Sequence, residues 1–414
     1  MMQIDLSSKR LARDLDAMKA FTATPGMGCT RLPFTPAALE CAAALKKLMA
    51  EAGLEVSSDA AGNVFGRLKG QEAGQACIMM GSHYDSVLNG GDYDGIAGVI
   101  SAIEVARILS ESGRKFKRDF VVAAFNDEEG MRFGTGYFGS GSMLGKRDLS
   151  YCQDYCDMEG VSIFAAMREA GLNPADIAAA QWPENSIEAF LELHIEQGPV
   201  LDQEKVDLGL VDCIVGIKRY VVKVHGRADH AGTTPMDMRL DAVDAASKVI
   251  AQIGDWARAS GEGSVATVGL IKVQPGGMNI VAEECEFTVD VRSRKQAILD
   301  DIAAKLVHAL DENCAAMGGS YEIQEKLDVK PVDLDQAMLQ SLETSCKKHG
   351  FSYRYMPSGA GHDSLEIAPF IPTVMLFVPS RDGRSHCPVE FTELDFFVKA
   401  IQAMVDLAAE KLDA

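Results

Sequence analysis

The fold of this chain is decided by one stretch, CIMMGSHYDSVLNGGDYDGIAGVISAIEVARILSESGRKFKRDFVVAAFNDEEG, at residues 77–130. It begins with an apolar run at 77–81 and ends with a second apolar run at 119–125. The residues between them, 96–110, are apolar enough for a buried helix. Strand-length apolar runs separated by a helix are typical of a βαβ unit with parallel strands. The stretch therefore predicts an α/β protein with a mixed, mostly parallel sheet.

The same pattern continues on both sides of that stretch. Residues 37–52 predict an amphipathic helix, and residues 54–68 predict a hairpin around an Ala-Ala-Gly-Asn turn. Apolar runs at 190–193 and 372–378 predict two further strands. We therefore expect the α/β pattern to extend over both the N-terminal and the C-terminal parts of the chain.

A different pattern separates the last two of these strands. It predicts the order β-α-β-β-α-β, with strands at 220–225, 264–274, 285–292 and 321–326 and helices at 241–260 and 296–317. This is the order of a ferredoxin-like α+β unit. We therefore predict two domains: a discontinuous domain of residues 1–212 and 328–414, and an inserted domain of residues 213–327.

Composition and charge exclude several classes of protein. Of the 414 residues, 47% are hydrophobic and 24% charged, which is ordinary for a globular chain and excludes intrinsic disorder. The 40 lysines and arginines against 60 aspartates and glutamates give a formal net charge of −20. Such a charge repels phosphate backbones, so we expect no nucleic-acid partner.

The cysteines and the apolar runs predict the cellular location of the protein. The ten cysteines form no C-x-x-C pair, and the first 13 residues contain no apolar core of a signal peptide. Apolar runs such as 120–125 are far shorter than a membrane span. We therefore expect a cytoplasmic protein with reduced thiols and no membrane association.

Three of the eight histidines lie near the ends of strand-like apolar runs. These are His83, His194 and His386, and each has acidic residues close by in the sequence or in the neighbouring loops. Open α/β sheets bind their ligands at the carboxyl ends of the strands. We therefore expect the three imidazoles to lie at one edge of the sheet.

Two acidic segments follow the first two strands. The glycine-rich loop GGDYDG at 90–95 contains Asp94, and the run DEEG at 127–130 contains Glu128 and Glu129. Adjacent carboxylates repel one another unless a cation neutralises them. Imidazole and carboxylate ligands suit zinc, manganese, cobalt or nickel, and their number is enough for two ions that share a bridging carboxylate. Taken singly, each residue has an ordinary alternative as a surface group or a helix cap.

The order of these and other motifs resembles that of M20-type metal-dependent amidohydrolases. The motifs are HYDSV (83–87), GGDYDG (90–95), EEGMRF (128–133), HIEQGP (194–199), HAGTTPM (230–236), PGGMN (275–279), DVRS (290–293), SGAGHD (358–363) and SHCP (385–388). More narrowly, the chain resembles the hydantoinase/carbamoylase branch from Thr30 to His386. That branch contains N-carbamoyl-L-amino acid hydrolases, allantoate amidohydrolases and β-ureidopropionases. Cys387 is a small departure, because relatives often have Ser or Asn there.

The resemblance implies a role for each residue of the histidine and carboxylate set. One divalent ion would be held by His83 and His194, a second by Glu129 and His386, and both by Asp94 as the bridge. Zinc is the first candidate, with manganese, cobalt or nickel as alternatives. Glu128 would be the general base that moves a proton from the attacking water to the leaving nitrogen. Asp85 would orient the ring of His83.

The resemblance also implies substrate-binding residues, three of them in the inserted domain, which would act as a lid and dimerisation domain. His230 would donate to the developing oxyanion of the other subunit, Asn279 would bind polar groups, and Arg292 would hold a carboxylate. Gln197, Gly359 and Ala360 would lie beside the metal site.

Several of these residues have ordinary alternatives. The run at 230–236 is also consistent with a strand-to-helix turn capped by Thr233 or Thr234. Arg292 is also an expected salt-bridge partner in so acidic a chain. His362, in the loop after residue 358, is also placed to pair with Asp363.

The function implied by the resemblance is hydrolysis of a ureido group next to a carboxylate, by a homodimer. We expect N-carbamoyl-L-amino acids as substrates, with the amino acid, carbon dioxide and ammonia as products. Allantoate is the alternative: residues 275–277 and 289–292 favour carbamoylases, whereas residues 217–220 are similar to allantoate enzymes. A dipeptidase or aminoacylase is a further alternative, against which His194 argues, because peptidases of the wider family usually have a carboxylate there. A non-catalytic protein is disfavoured because Glu128 and every implied ligand are present.

Overall fold

The computed structural model describes residues 8–414. Its helices are α1 (Ser8–Met18), α2 (Pro36–Glu51), α3 (Ile96–Glu111), α4 (Phe138–Met143), α5 (Leu149–Asp154), α6 (Ile163–Glu169), α7 (Val200–Glu204), α8 (Ala242–Ser260), α9 (Gln296–Met317), α10 (Gln336–His349), α11 (Asp363–Ile367) and α12 (Leu394–Asp413). Its strands are β1 (Glu55–Ser58), β2 (Val64–Leu68), β3 (Cys77–His83), β4 (Phe120–Phe125), β5 (Ile187–Ile195), β6 (Leu208–Ile214), β7 (Gly216–His225), β8 (Val265–Thr267), β9 (Ile271–Gln274), β10 (Glu284–Ser293), β11 (Ser320–Val329), β12 (Val332–Asp333), β13 (Tyr353–Ser358) and β14 (Thr373–Val378). None of the helices in residues 8–414 combines the length and the apolar character that crossing a membrane requires.

The chain folds into two compact units. The first unit comprises the chain up to Asp212 and Asp333–Ala414, and the second unit is Cys213–Val332. The end of the second unit lies beyond the predicted boundary at residue 327, because β11 pairs with β7 as far as Val329.

The first unit contains a nine-stranded sheet in the part of the chain that the structure describes. Its order is β1-β2-β4-β3-β5-β14-β6-β12, with β13 also paired to β6. The central strands β4, β3, β5 and β14 are parallel, whereas the pairs β1–β2, β2–β4 and β14–β6 are antiparallel. The predicted α/β fold with a mixed, mostly parallel sheet is thus confirmed.

The central strands of this sheet are buried on both faces. Every residue of β3 and β4 is buried, which explains the continuous apolar runs at 77–81 and 120–125 in the sequence. Alternate side chains enter different cores: Ile78 and Val122 lie in the core that includes α3 and α12, whereas Met79 and Val121 lie in the core on the opposite face. This double burial fixes the position of the strand ends at the site described below.

The second unit contains an antiparallel sheet of the order β11-β7-β10-β8, with β9 also paired to β10. This order and the helices α8 and α9 make a ferredoxin-like arrangement. The strand predicted at 264–274 is divided into β8 and β9, which both pair with β10. The helix cap proposed for Thr233 or Thr234 is wrong: a short turn at Met236–Met238 intervenes, and Asp241 caps α8 by accepting from Val243 N and Asp244 N.

Candidate metal centre

The carboxyl ends of the parallel strands bring six predicted site residues together. His83 ends β3, His194 is the last residue but one of β5, and Asp94 lies in the turn before α3. The others come from the loops after β4 and β14: Glu128, Glu129 and His386. Their ligand atoms form overlapping groups in which all atoms lie within 4.8 Å of one another, namely His83/Asp94/His194, Asp94/Glu129/His386 and His83/Glu128/Glu129.

Asp94 lies between two sets of possible ligands. Its Oδ1 is 3.2 Å from Nε2 of His194 and 3.6 Å from Nε2 of His83. Its Oδ2 is 3.1 Å from Nε2 of His386, which is in turn 3.6 Å from Oε2 of Glu129. Two ligand atoms bound at about 2.1 Å to a tetrahedral ion are about 3.4 Å apart. The observed separations therefore suit a cation within each set.

Three polar atoms of this cluster are buried without a hydrogen bond within residues 8–414. They are Asp94 Oδ1, His194 Nε2 and Glu129 Oε1. The first two lie 3.2 Å apart. Each buried polar group without a partner costs about 1–3 kcal/mol, and more if it is charged. A divalent cation would satisfy all three atoms, so the residues present fit a metal centre.

Burial controls the protonation of the glutamates. It raises the pKa of Glu128 well above its usual range, although His83 opposes the shift. It also raises the pKa of Glu129 to about 7, together with the nearby charge of Asp94. A dication in the cluster would reverse this tendency, because it stabilises the ionised carboxylates.

Asp94 is the anionic centre of the cluster. Burial opposes its charge, but the imidazoles of His194, His386 and His83 hold its pKa well below its usual range. Asp94 in turn raises the pKa of His386 to about 9. A firmly ionised carboxylate therefore lies between the two ligand sets.

Asp85 has a second role that its sequence position did not reveal. Its backbone oxygen and its Oδ1 lie 3.2 Å and 3.5 Å from Nδ1 of His83, as expected for a residue that orients this ring. Its carboxylate also accepts from the backbone N–H groups of Glu128 (3.0 Å) and Glu129 (3.2 Å). Asp85 therefore fixes the turn that carries both glutamates.

Gln197 lies next to this cluster. Its Nε2 donates to Asp94 Oδ2 (2.8 Å) and is 3.3 Å from Nε2 of His386. Its φ of 57° is in the left-handed region, which costs about 1–3 kcal/mol for a residue other than glycine. Strain of this kind is typical of functional sites.

Gly359 and Ala360 lie in the turn that connects β13 to α11. The turn is closed by the hydroxyl of Ser358, which donates to Ala360 O (2.9 Å). The hydroxyl of Ser358 is also 2.8 Å from Nε2 of His362, so this nitrogen does not pair with Asp363. The ring of His362 packs edge-on against His194, at 4.4 Å between centroids. The turn is thus connected to a ligand of the cluster through His362.

His230 and Asn279 are neighbours in the second unit. His230 pairs with Ile280 in an isolated bridge, and Ala231 N donates to Asn279 O (2.9 Å). The side chains of His230 and Asn279 are exposed. The contribution of these residues to the metal centre stays a prediction.

Arg292 lies in β10 of the same unit and makes an ion pair. Its guanidinium donates to both oxygens of Asp290, at 2.8 Å and 3.3 Å, as the alternative interpretation expected. Arg219 donates to the same carboxylate (2.7 Å). Two guanidinium groups therefore surround one carboxylate, and the binding of a substrate carboxylate by Arg292 stays a prediction.

One residue that the sequence analysis did not single out, Glu390, contacts the cluster. Glu390 is buried and accepts from the backbone N–H groups of Tyr93 (2.9 Å) and Asp94 (3.1 Å). It also accepts from the hydroxyl of Ser385 (2.7 Å). The available signal was an acidic residue soon after the SHCP motif, but nothing in the sequence connects it with Asp94.

Comparisons with known proteins agree with the resemblance. Residues 79–410 match the family described as Peptidase family M20/M25/M40. The N-carbamoyl-L-amino-acid amidohydrolase of Paenarthrobacter aurescens is 37% identical over 398 residues, which are 96% of this chain and 96% of that protein. The allantoate amidohydrolase of Escherichia coli strain K12 is 36% identical over 388 residues, or 94% of both chains.

The similarity extends to solved structures. The crystal structure of a hydantoinase/carbamoylase family amidase from Burkholderia multivorans has a TM-score of 0.93 at 32% identity, covering 100% of this chain and 99% of that one. The predicted family is confirmed. The chain belongs to peptidase family M20/M25/M40, in the hydantoinase/carbamoylase branch.

Proposed function

We propose that this protein hydrolyses the ureido group of N-carbamoyl-L-amino acids. The family is one of hydrolases, and the relatives that cover nearly the whole chain are amidohydrolases. The observation that carries the proposal is the position of Asp94: its two carboxylate oxygens face separate sets of possible ligands, and Glu128 lies beside them. The substrate class is inferred from the Paenarthrobacter aurescens enzyme, which is named for it.

Two divalent ions would occupy the cluster. His83 and His194 would hold one ion, Glu129 and His386 the other, and Asp94 both. Zinc is the first candidate, with manganese, cobalt or nickel as alternatives. When bound, such ions polarise the carbonyl of the substrate and lower the pKa of water.

Glu128 is the general base of this proposal. Its Oε2 is 3.9 Å from Nε2 of His83, and its backbone is fixed by Asp85. It takes a proton from the attacking water and delivers it to the leaving nitrogen. Water adds to the carbamoyl carbon, and the bond from that carbon to the nitrogen of the amino acid breaks. The released carbamate then decomposes to carbon dioxide and ammonia.

The remaining predicted residues would bind the substrate. Gln197, Gly359 and Ala360 would contact the ureido group next to the cluster, and Asn279 its polar edge. Arg292 would hold the carboxylate. The planar guanidinium of Arg292 can donate two parallel hydrogen bonds, a geometry that suits a carboxylate.

The protein would act as a homodimer that forms through its second unit. In this dimer, His230 of one subunit would donate to the oxyanion in the active site of the other subunit. In the described part of the chain, β8 and β9 pair with β10 alone, so their other edge is open. Val265, Ile271 and Val273 on these strands are exposed by 52%, 54% and 38%. An open strand edge with apolar side chains is a template for pairing with a second chain.

The ten free cysteines support a reducing compartment, which we take to be the cytoplasm.

Mixing two inactive variants tests the shared site. Glu128→Gln and His230→Ala chains should regain one working site per heterodimer, because one site then has both residues intact. If heterodimers form without recovery of activity, His230 acts within its own chain or not at all.

Allantoate is the second candidate substrate, because the Escherichia coli relative at 36% identity is an allantoate amidohydrolase. Both substrates have a ureido group and a carboxylate, so the same side chains would bind both. The test compares kcat/KM for N-carbamoyl-L-amino acids, N-carbamoyl-β-alanine and allantoate, on protein loaded with zinc or manganese. Glu128→Gln protein is the control for contaminating activity. A higher kcat/KM for allantoate would reassign the substrate, and hydrolysis of none of the three would refute the proposed function.

A further inference from the structure

Glu390 connects two loops that carry ligands of the cluster. Its Oε1 accepts from the backbone N–H groups of Tyr93 (2.9 Å) and Asp94 (3.1 Å). Its Oε2 accepts from the hydroxyl of Ser385 (2.7 Å), the residue before His386. One carboxylate therefore holds both Asp94 and the loop that supplies His386.

The loops fit closely around this carboxylate. A Cβ atom on Gly91 would lie 2.1 Å from Oε1 of Glu390, so the approach of the glycine-rich loop requires glycine at this position. Glu390 N also donates to Cys387 O (3.1 Å), which closes the turn after His386. Glu390 is only 5% exposed, and its three donors compensate for the burial of the carboxylate.

The hydroxyl of Ser385 makes this arrangement specific. It lies 2.7 Å from Glu390 Oε2 and 3.2 Å from Asp94 Oδ2, but it has one proton to donate. The shorter contact assigns the proton to Glu390. Without that acceptor the proton would turn to Asp94 Oδ2, the oxygen that faces His386 at 3.1 Å. Gln197 Nε2 already donates to this oxygen (2.8 Å), so Glu390 keeps its remaining lone pair available.

We propose that Glu390 is a positioning residue for the second ion site, formed by Asp94, Glu129 and His386. The inference rests on the two-ion site of the proposed function. The first site depends on it less, because His83 and His194 lie on the strands β3 and β5, which are fixed by burial. Loss of Glu390 should therefore weaken one ion site more than the other.

The test is titration of metal-stripped protein with Zn²⁺ by calorimetry, together with elemental analysis after dialysis. Glu390→Gln keeps the shape of the side chain, but its amide donates to Ser385 and turns the serine proton toward Asp94. Glu390→Ala removes the tether entirely. Residues outside the direct ligand set typically change metal affinity 10–100-fold. Both variants should bind the second ion at least about tenfold more weakly. The loss of affinity for the first ion should be clearly smaller, although both sites share Asp94.

Glu393→Gln is the matched control, because Glu393 is an exposed glutamate three positions later that pairs with Arg381. It should bind both ions as wild type does. Wild-type affinity for both ions in Glu390→Gln and Glu390→Ala overturns the inference, and so does equal weakening of both ions. Wild-type protein that binds only one ion overturns the two-ion site itself, and this failure is recognised because it occurs without any substitution.

Discussion

Replacing Asp85 with alanine should disable the metal centre although Asp85 is not an expected ligand. Its carboxylate is fully buried and accepts from the backbone N–H groups of Glu128 (3.0 Å) and Glu129 (3.2 Å). It also lies 3.5 Å from Nδ1 of His83. Asp85→Ala leaves two backbone donors without their acceptor. It also removes the carboxylate beside His83, whose Nδ1 then keeps only the backbone oxygen of residue 85.

The contacts set the size of the effect. Each stranded N–H costs about 1–3 kcal/mol, so the present conformation of the glutamate turn loses about 2–6 kcal/mol. Partners of metal ligands typically contribute about 10–100-fold in affinity or activity. Because Asp85 supports a ligand ring, the base and a second ligand, we expect the upper end, about 100-fold, for Asp85→Ala. Asp85→Asn keeps one acceptor oxygen and should lose about tenfold.

The assay is competition for zinc with a chelating indicator, followed by kcat/KM at saturating zinc. Asp92→Asn is the matched control, because Asp92 is partly exposed in the neighbouring loop and lies 3.8 Å from Lys19. The control should match wild type. If Asp85→Ala binds zinc and turns over substrate within twofold of wild type, the reasoning is refuted.

Three further predictions concern the proposed base, the metal and a buried ion pair on α3. Glu128→Gln should keep its metal by elemental analysis but lose kcat by about 100-fold or more, whereas Glu129→Ala should lose metal as well; near-normal turnover of Glu128→Gln would assign the base to another group. Chelator should abolish activity and lower the melting temperature, and zinc at about 100 times its Kd should restore about 2.7 kcal/mol of stability; a melting temperature indifferent to zinc would contradict a site in the folded state. Glu104 is fully buried and lies 3.2 Å from Arg107, so Glu104→Ala should lower the free energy of unfolding in urea by about 3–5 kcal/mol and leave kcat unchanged. Replacing the exposed Glu111 with alanine should lower it by at most about 1 kcal/mol. Equal losses in the two variants would refute the role of burial.

Local sequence patterns were enough to predict the main helices and strands and most of the candidate site. Runs such as 77–81 and 120–125 are apolar throughout because both faces of the central strands are buried, and this pattern can be read from the local sequence alone. Motif order then identified the family and gave His83, Asp94, Glu129, His194 and His386, which the structure brings together.

Tertiary structure alone decided the contacts that hold these residues in place. Asp85 bonds to the turn at Glu128 and Glu129, and Glu390 bonds to the backbone of Asp94 although it is distant in the chain. Such hydrogen bonds depend on how strands and loops are arranged in space, and neither residue type nor spacing along the chain specifies their partners. The division of β8 from β9 has the same origin, because it is defined by their pairing with β10 and not by a change in the local apolar pattern.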